Sequence, residues 1–266
     1  MKHASLAAAM LAVLSLSAMA VPQVVATHAI FAEIVSLIGG DQIEVTTIIP
    51  SGFCPGHYDL SPSDYVSLIE ADLVLYSGFE PWVAQLEGRT QEGALVQLGG
   101  AWNTPTAAQN QTETIATLLS ERIPDAAAIF AAHRDAYIQE LSATASSLSE
   151  RALTLGVAGT PVVCMLWQAD FVSWLGFDVT VSYGLPENLS LRDLVELADQ
   201  GRTAEAVLVI DNLQSGIEFG GKLAREVDAV HVVLSNFPGA LPNTATLIDL
   251  FVRNAEALFT AIEPIS

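Results

Sequence analysis

From residue 21 onward, short apolar runs alternate with stretches of helical spacing. Gln23–Ala26, Glu44–Ile49, Leu73–Tyr76 and Leu95–Leu98 are rich in Val, Ile and Leu and bounded by Gly, Pro or Asp, which predicts strands. Between them, Ala29–Ile38 and Pro62–Glu70 carry apolar residues one helical turn apart, and Gly39 with Gly40 supplies a helix stop. Strands alternating with helices imply parallel βαβ units with helices on both faces of the sheet. This is a first α/β lobe, residues 21–122.

The pattern then changes. From Pro105 to Leu153 the strand signal disappears, and Ala, Glu, Gln, Ser and Thr dominate. Pro124 and Asp125 open a long helix whose apolar stripe includes Phe130, Tyr137, Leu141 and Leu148. Continuous to Leu153, it would be about 43 Å long at 1.5 Å per residue, enough to run along two lobes. Gly156, Gly159 and Pro161 end it, so residues 123–155 form a linking helix. Strands then return at Val162–Leu166, Asp178–Ser182, Val207–Ile210 and Val230–Leu234, with helices at Ala169–Leu175, Leu191–Gln200, Gly216–Glu226 and Thr246–Ala261. The predicted fold class is α/β: two lobes, each with a parallel four-stranded sheet, joined by a long linking α-helix, with the second lobe at 156–266. Ligands of such sheets bind beyond the carboxyl ends of the strands, which puts the site between the lobes.

Composition adds a compartment. The chain has 266 residues, 51% of them hydrophobic, and part of that is a leader. Lys2 and His3 precede an apolar run from Leu6 to Met19 that ends Ala18-Met19-Ala20, the form of a secretory signal over residues 1–20 cleaved after Ala20. An uncleaved N-terminal anchor is the rival. No later apolar run reaches membrane-helix length. The expectation is an exported protein, soluble after cleavage, in the periplasm or at the outer face of the cytoplasmic membrane. A formal net charge of −20 argues against a nucleic-acid partner and would attract cations.

The chemistry concentrates in one loop, Ser51-Gly-Phe-Cys-Pro-Gly-His-Tyr-Asp-Leu-Ser-Pro-Ser-Asp64. Gly52, Pro55 and Gly56 impose a turn that presents two metal donors, Cys54 and His57. With only one other cysteine, Cys164, three readings stand: both thiols are ligands, they form a disulfide, or Cys164 is a small core residue. His28, at the carboxyl end of the first strand, is either a cleft residue or a helix-start histidine bonded to backbone. His133 and His231 read as structural. Asp211, directly after a strand, is either a carboxylate that orients a ligand from behind or a strand-end cap. Asn110-Gln-Thr112 and Asn188-Leu-Ser190 match glycosylation sequons by pattern only.

These elements resemble the extracytoplasmic receptors of ABC importers for zinc and manganese, the cluster A-I solute-binding proteins. Val24-Val-Ala-Thr27 and Ile38-Gly-Gly-Asp-Gln-Ile-Glu-Val45 look like that family's opening. The loop at 51–64 is similar to its Pro-Gly-x-Asp-Pro-His-x-Tyr-Glu-x-x-Pro-Ser-Asp signature. Ala71-Asp-Leu-Val-Leu-Tyr-Ser-Gly78, Glu80-Pro-Trp82 and Leu247-Ile-Asp-Leu-Phe-Val-Arg-Asn254 continue it, in order, across nearly the whole chain. The resemblance implies a non-enzymatic, monomeric receptor with a metal ion as cargo, an importer permease as partner and no organic cofactor.

The same resemblance implies four ligand positions, and this chain departs from most of them. The first falls on His57. The second, fixed by Trp102 and Pro105, falls on Gly100. The third falls on Met165, with Cys164 adjacent, and the fourth on Asn236. A set drawn from Cys54, His57, Cys164, Met165 and Asn236, with His28 nearby, is softer than the family's usual one. It favours zinc or copper(I) over manganese. The runner-up is a cleft that has lost its bare-ion site and takes a metal chelate or small organic molecule against Trp102, Trp167, Trp174 or Tyr183. A thiol enzyme built on Cys54 and His57 is a distant third, since no third group is evident to orient the pair.

Overall fold

The computed structural model describes residues 21–263; residues 1–20, the expected secretory signal, lie outside the described residues. Four strands, β1 (Gln23–Ala26), β2 (Glu44–Thr47), β3 (Leu73–Tyr76) and β4 (Leu95–Gln97), pair in parallel in the order β2-β1-β3-β4. The second lobe repeats the arrangement. There β5 (Pro161–Met165), β6 (Asp178–Tyr183), β7 (Leu208–Asn212) and β8 (Val230–Leu234) lie in the order β6-β5-β7-β8. Both sheets are covered on two faces, as parallel sheets require, so the central strands are apolar almost throughout.

The helices are set by local chemistry. In the first lobe α1 (Ala29–Gly39) buries Ile30, Phe31, Ile34, Val35 and Ile38. The helix α2 (Pro62–Glu70) begins at a reciprocal cap, Ser61 with Asp64, with Pro62 in the first turn. A further helix, α3 (Pro105–Arg122), fills a stretch where the sequence shows only the absence of strands. It packs on the linking helix α4 (Ala127–Leu155), which ends at Gly156 in the left-handed conformation, φ 68°. In the second lobe lie α5 (Ala169–Trp174), α6 (Leu191–Thr203), α7 (Glu218–Val227) and α8 (Leu247–Ile262).

The buried stripe of α4, Phe130, Tyr137, Leu141, Leu148 and Ala152, belongs to one apolar core that runs through both lobes. Each lobe adds a smaller core on the opposite face of its sheet. Wide separation of the lobes would therefore expose shared apolar surface, at about 25 cal/mol per Å².

The lobes are also tied behind the cleft by one carboxylate. Both Glu33 oxygens, on α1, accept from the Leu247 amide at the start of α8 (2.9 and 2.8 Å), and Tyr137 of α4 donates to Oε1 at 3.4 Å. Burial pushes the Glu33 pKa up to about 7, against the pull of those hydrogen bonds. A folded pKa above the unfolded value of an acid means ionisation destabilises the fold as pH rises from about 4.5 to about 7. Glu33→Gln keeps an acceptor and removes the charge. Its stability relative to the parent should improve by roughly 1–3 kcal/mol between pH 5 and pH 8, measured by urea unfolding. A difference that does not change with pH would contradict this.

Candidate metal centre

The carboxyl ends of the two sheets face each other across a cavity of about 370 Å³. Loops after β2, β3 and β4 line it from one lobe and loops after β5, β6, β7 and β8 from the other. Cys54, Pro55, Gly56 and His57 form one wall, folded as a single 3-10 turn that starts at Pro55. Opposite stand Leu166, Trp167, Asp170, Leu185, Asn212, Gln214 and Asn236. Phe79, Trp102, Trp167 and Phe237 make much of the surface aromatic.

Polar contacts close the lobes around this space. His57 Nε2 lies 3.1 Å from Glu187 Oε1, which comes from the loop after β6. The Asn103 amide donates to the Trp167 carbonyl at 3.0 Å, and the Gln214 amide to the Ser51 carbonyl at 2.8 Å. Glu187 carries no motif and sits in a loop, so the only sequence signal for it is its acidity. His57 and Glu187 are both half exposed, so their pairing adds little to stability. Its interest is chemical: it brings a carboxylate of one lobe to the imidazole of the other.

The sequence-predicted residues separate into two groups. Cys54, His57 and Asn236 line the cavity. Asn236 already accepts from Gln168 Nε2 at 2.9 Å, so its oxygen is engaged. Cys164 and Met165, expected at the cleft, turn away from it. Because β5 is covered on both faces, its alternating residues enter two cores: Cys164 the shared one, Met165 the smaller one behind. Both are fully buried. The Cys164 thiol donates to the Met165 carbonyl at 3.3 Å, and burial pushes its pKa up, which disfavours the thiolate a metal needs. The Met165 sulfur accepts from the Trp167 amide at 3.2 Å. Both cysteines are free, so the expected alternative of a bridge is not realised.

Gly100 borders the cavity at φ +88°, a conformation that strains any side chain, so the backbone itself disfavours a histidine there. Trp174 packs on Phe171 in the core, and Tyr183 is buried with its hydroxyl on Asp211 and the Ile210 carbonyl; neither walls the cavity.

His28 lies behind the wall, not in it. Its ring sits 4.0 Å from Phe31, 5.0 Å from Phe237 and 5.1 Å from Trp102, centroid to centroid, and neither ring nitrogen has a partner. Burial lowers its pKa to about 4, partly offset by nearby Glu80. That carboxylate is itself buried, which raises its pKa, but donors from Thr27 and Ser77 outweigh burial and hold it low. Asp211 faces away from the cavity, beneath α7. It accepts from His231 Nε2 at 2.7 Å and from the Tyr183 hydroxyl, and Gly220 leaves the room that a Cβ would take from its carboxylate. His133 Nδ1 donates to the Ile38 carbonyl, 2.9 Å away. Among the described residues, no three His, Cys, Asp or Glu side chains converge closely enough to hold an ion. No helix among them is long and apolar enough to cross a membrane.

Known proteins share this architecture. A crystal structure of ZnuA superposes with a TM-score of 0.74 at 21% identity, over 90% of this chain and 98% of that one. A manganese-bound periplasmic metal-binding protein from Candidatus Liberibacter asiaticus gives 0.77 at 18%, over 90% and 98%. At these identities the likeness bears on the fold. In sequence, the manganese-binding lipoprotein MntA of Halalkalibacterium halodurans is 26% identical over 151 residues, 50% of each chain. The manganese ABC transporter substrate-binding lipoprotein PsaA of Streptococcus pneumoniae is 43% identical over 56 residues, 21% of this chain and 18% of its own. The chain thus spans about half the length, or less, of the curated relatives it matches. The family model described as zinc-uptake complex component A, periplasmic, matches residues 24–261. With nearly every described residue inside that match, the chain belongs to the periplasmic zinc-uptake complex component A family.

Proposed function

We propose that this protein is the receptor of an ABC importer, capturing a transition-metal ion between its lobes and passing it to the permease. Zinc or copper(I) is the cargo, in preference to manganese. One observation carries the preference: although the Asp170 carboxylate also lines the cavity, the two donors that share a single turn there are a thiol and an imidazole, Cys54 and His57. Manganese(II) favours a shell of hard oxygens, whereas thiolate with imidazole suits zinc, and thiolate suits copper(I). The chain works outside the cytoplasm, in keeping with the periplasmic description of its family, and as a monomer.

Glu187 gives the capture step its closing contact. With the lobes together its carboxylate faces the His57 imidazole, so an ion arriving at His57 meets a negative charge from the opposite lobe. Closure is then favoured by the cargo itself, which is how binding shifts a two-state receptor. The test is titration of the reduced, demetallated protein with zinc(II), copper(I) under anaerobic conditions, and manganese(II). Zinc or copper(I) should bind near one equivalent and manganese weakly. His57→Ala should lower zinc affinity at least about a hundredfold, since losing even an outer-shell partner of a ligand costs roughly 10–100-fold. Manganese binding tighter than both other ions would refute the preference.

A further inference from the structure

The cavity is far larger than a naked ion requires, and its walls are of the wrong kind for one. At about 370 Å³ it falls in the range of small-molecule sites, roughly 300–1,000 Å³. Phe79 and Trp102 of one lobe and Trp167 and Phe237 of the other border it. Phe79 stands edge-on to Trp102 and Trp167, at interplanar angles of 78° and 72°, while Trp102 and Phe237 are within 20° of parallel. Rings at several orientations around one space suit a flat, unsaturated guest, which can stack on one and meet the edge of another.

The coordination chemistry points the same way. Cys54 and His57 offer two donors, the Glu187 carboxylate touches only the imidazole, and among the described residues no three His, Cys, Asp or Glu side chains converge as a metal site. A four-coordinate ion held there needs donors from elsewhere. A bound organic chelator supplies them and fills the apolar space with its own carbon skeleton. The charge is complementary too: Asp170 lines the cavity, Glu187 stands at His57, and the whole chain carries −20, so a cationic complex is attracted where an anionic one is not.

We infer that the cargo is a cationic complex of the metal with a small, planar, heteroaromatic-type chelator, with Cys54 and His57 taking the metal's open positions and the Phe79–Trp167 wall taking the chelator. This inference rests on the metal-receptor reading above and names the form in which the metal arrives. Coordination is the only bond formed: water leaves the metal's open positions as the thiolate and imidazole enter, and the Cys54 proton goes to solvent.

Calorimetric titration of the reduced protein with zinc(II), with its one-to-one 2,2′-bipyridine complex and with metal-free bipyridine tests it. The complex should bind at least about tenfold tighter than the free ion, the gain expected of one good aromatic contact plus its buried area. Trp167→Ala should remove that advantage, weakening the complex at least about tenfold more than it weakens free zinc. Phe79→Ala serves as the second variant. Both side chains are substantially exposed, at 37% and 48%, and neither is needed to fill the core. If free zinc binds as tightly as the complex, or if both variants weaken the two alike, the chelate inference falls and the metal receptor stands. If metal-free bipyridine binds as tightly as the complex, the chelate inference also falls; if no zinc species binds, both fall.

Discussion

Replacing His231 by leucine is expected to cost about 3–5 kcal/mol of folding stability near neutral pH, the usual result of stripping a buried charge of its partner. Asp211 is fully buried, and its carboxylate is held by two groups, the His231 ring at 2.7 Å and the Tyr183 hydroxyl. Gly220 on α7 lets the helix pass directly over that carboxylate and shields it on that side. Without His231, the tyrosine alone must compensate a charge in a low-dielectric pocket. Denaturant unfolding measures the loss. Asp211→Asn removes the charge, so the double variant should be less destabilised than His231→Leu alone. Equal or additive losses would show that the pair is only packed, not electrostatically joined.

Acidification is expected to draw on His28 in the opposite sense from Glu33. The imidazole has a folded pKa of about 4 against an ordinary 6.5, because burial among Phe31, Trp102 and Phe237 disfavours its charged form. A depressed folded pKa means the stability is complete above the unfolded value and is lost as pH falls from about 6.5 to about 4. The full shift corresponds to about 3 kcal/mol. Over much of that window protonation of Glu33 works the other way, so the parent's net slope understates the effect. Unfolding curves in a Glu33→Gln background remove the opposition. There the parent ring should lose about 3 kcal/mol relative to His28→Leu between pH 7 and pH 4. Parallel pH profiles with and without the His28 ring would contradict the assignment.

The fold was legible because β-rich runs and helical spacing alternate so regularly. Gln23–Ala26, Leu73–Tyr76 and Val230–Leu234 appear in the structure at the bounds their apolar runs suggest. The helix Pro105–Arg122 was not singled out, since its buried face leans on Ala108, Thr112 and Ala116 between only two larger aliphatics, Ile115 and Leu119. A stripe of small residues gives little hydrophobic periodicity.

The site was legible only in part, for reasons of geometry. His57 and Cys54 announce themselves because a Pro/Gly turn fixes a loop whatever lies around it. Cys164 and Met165 could not be placed, because a strand covered on both faces has no polar side to show which residues point where. The position of His28 at a strand end was visible in sequence, but Phe237, which shuts it in, comes from the other lobe. Glu187 reaches His57 across the same gap. Contacts between distant loops follow from how the lobes dock, which no local pattern records.

The most direct test of the metal reading is X-ray absorption at the zinc edge on reduced protein loaded with one equivalent of zinc. Coordination by Cys54 and His57 predicts a sulfur near 2.3 Å and an imidazole nitrogen at about 2.0–2.1 Å, with the sulfur lost in Cys54→Ser. A shell of oxygen and nitrogen alone, unchanged by that substitution, would contradict it.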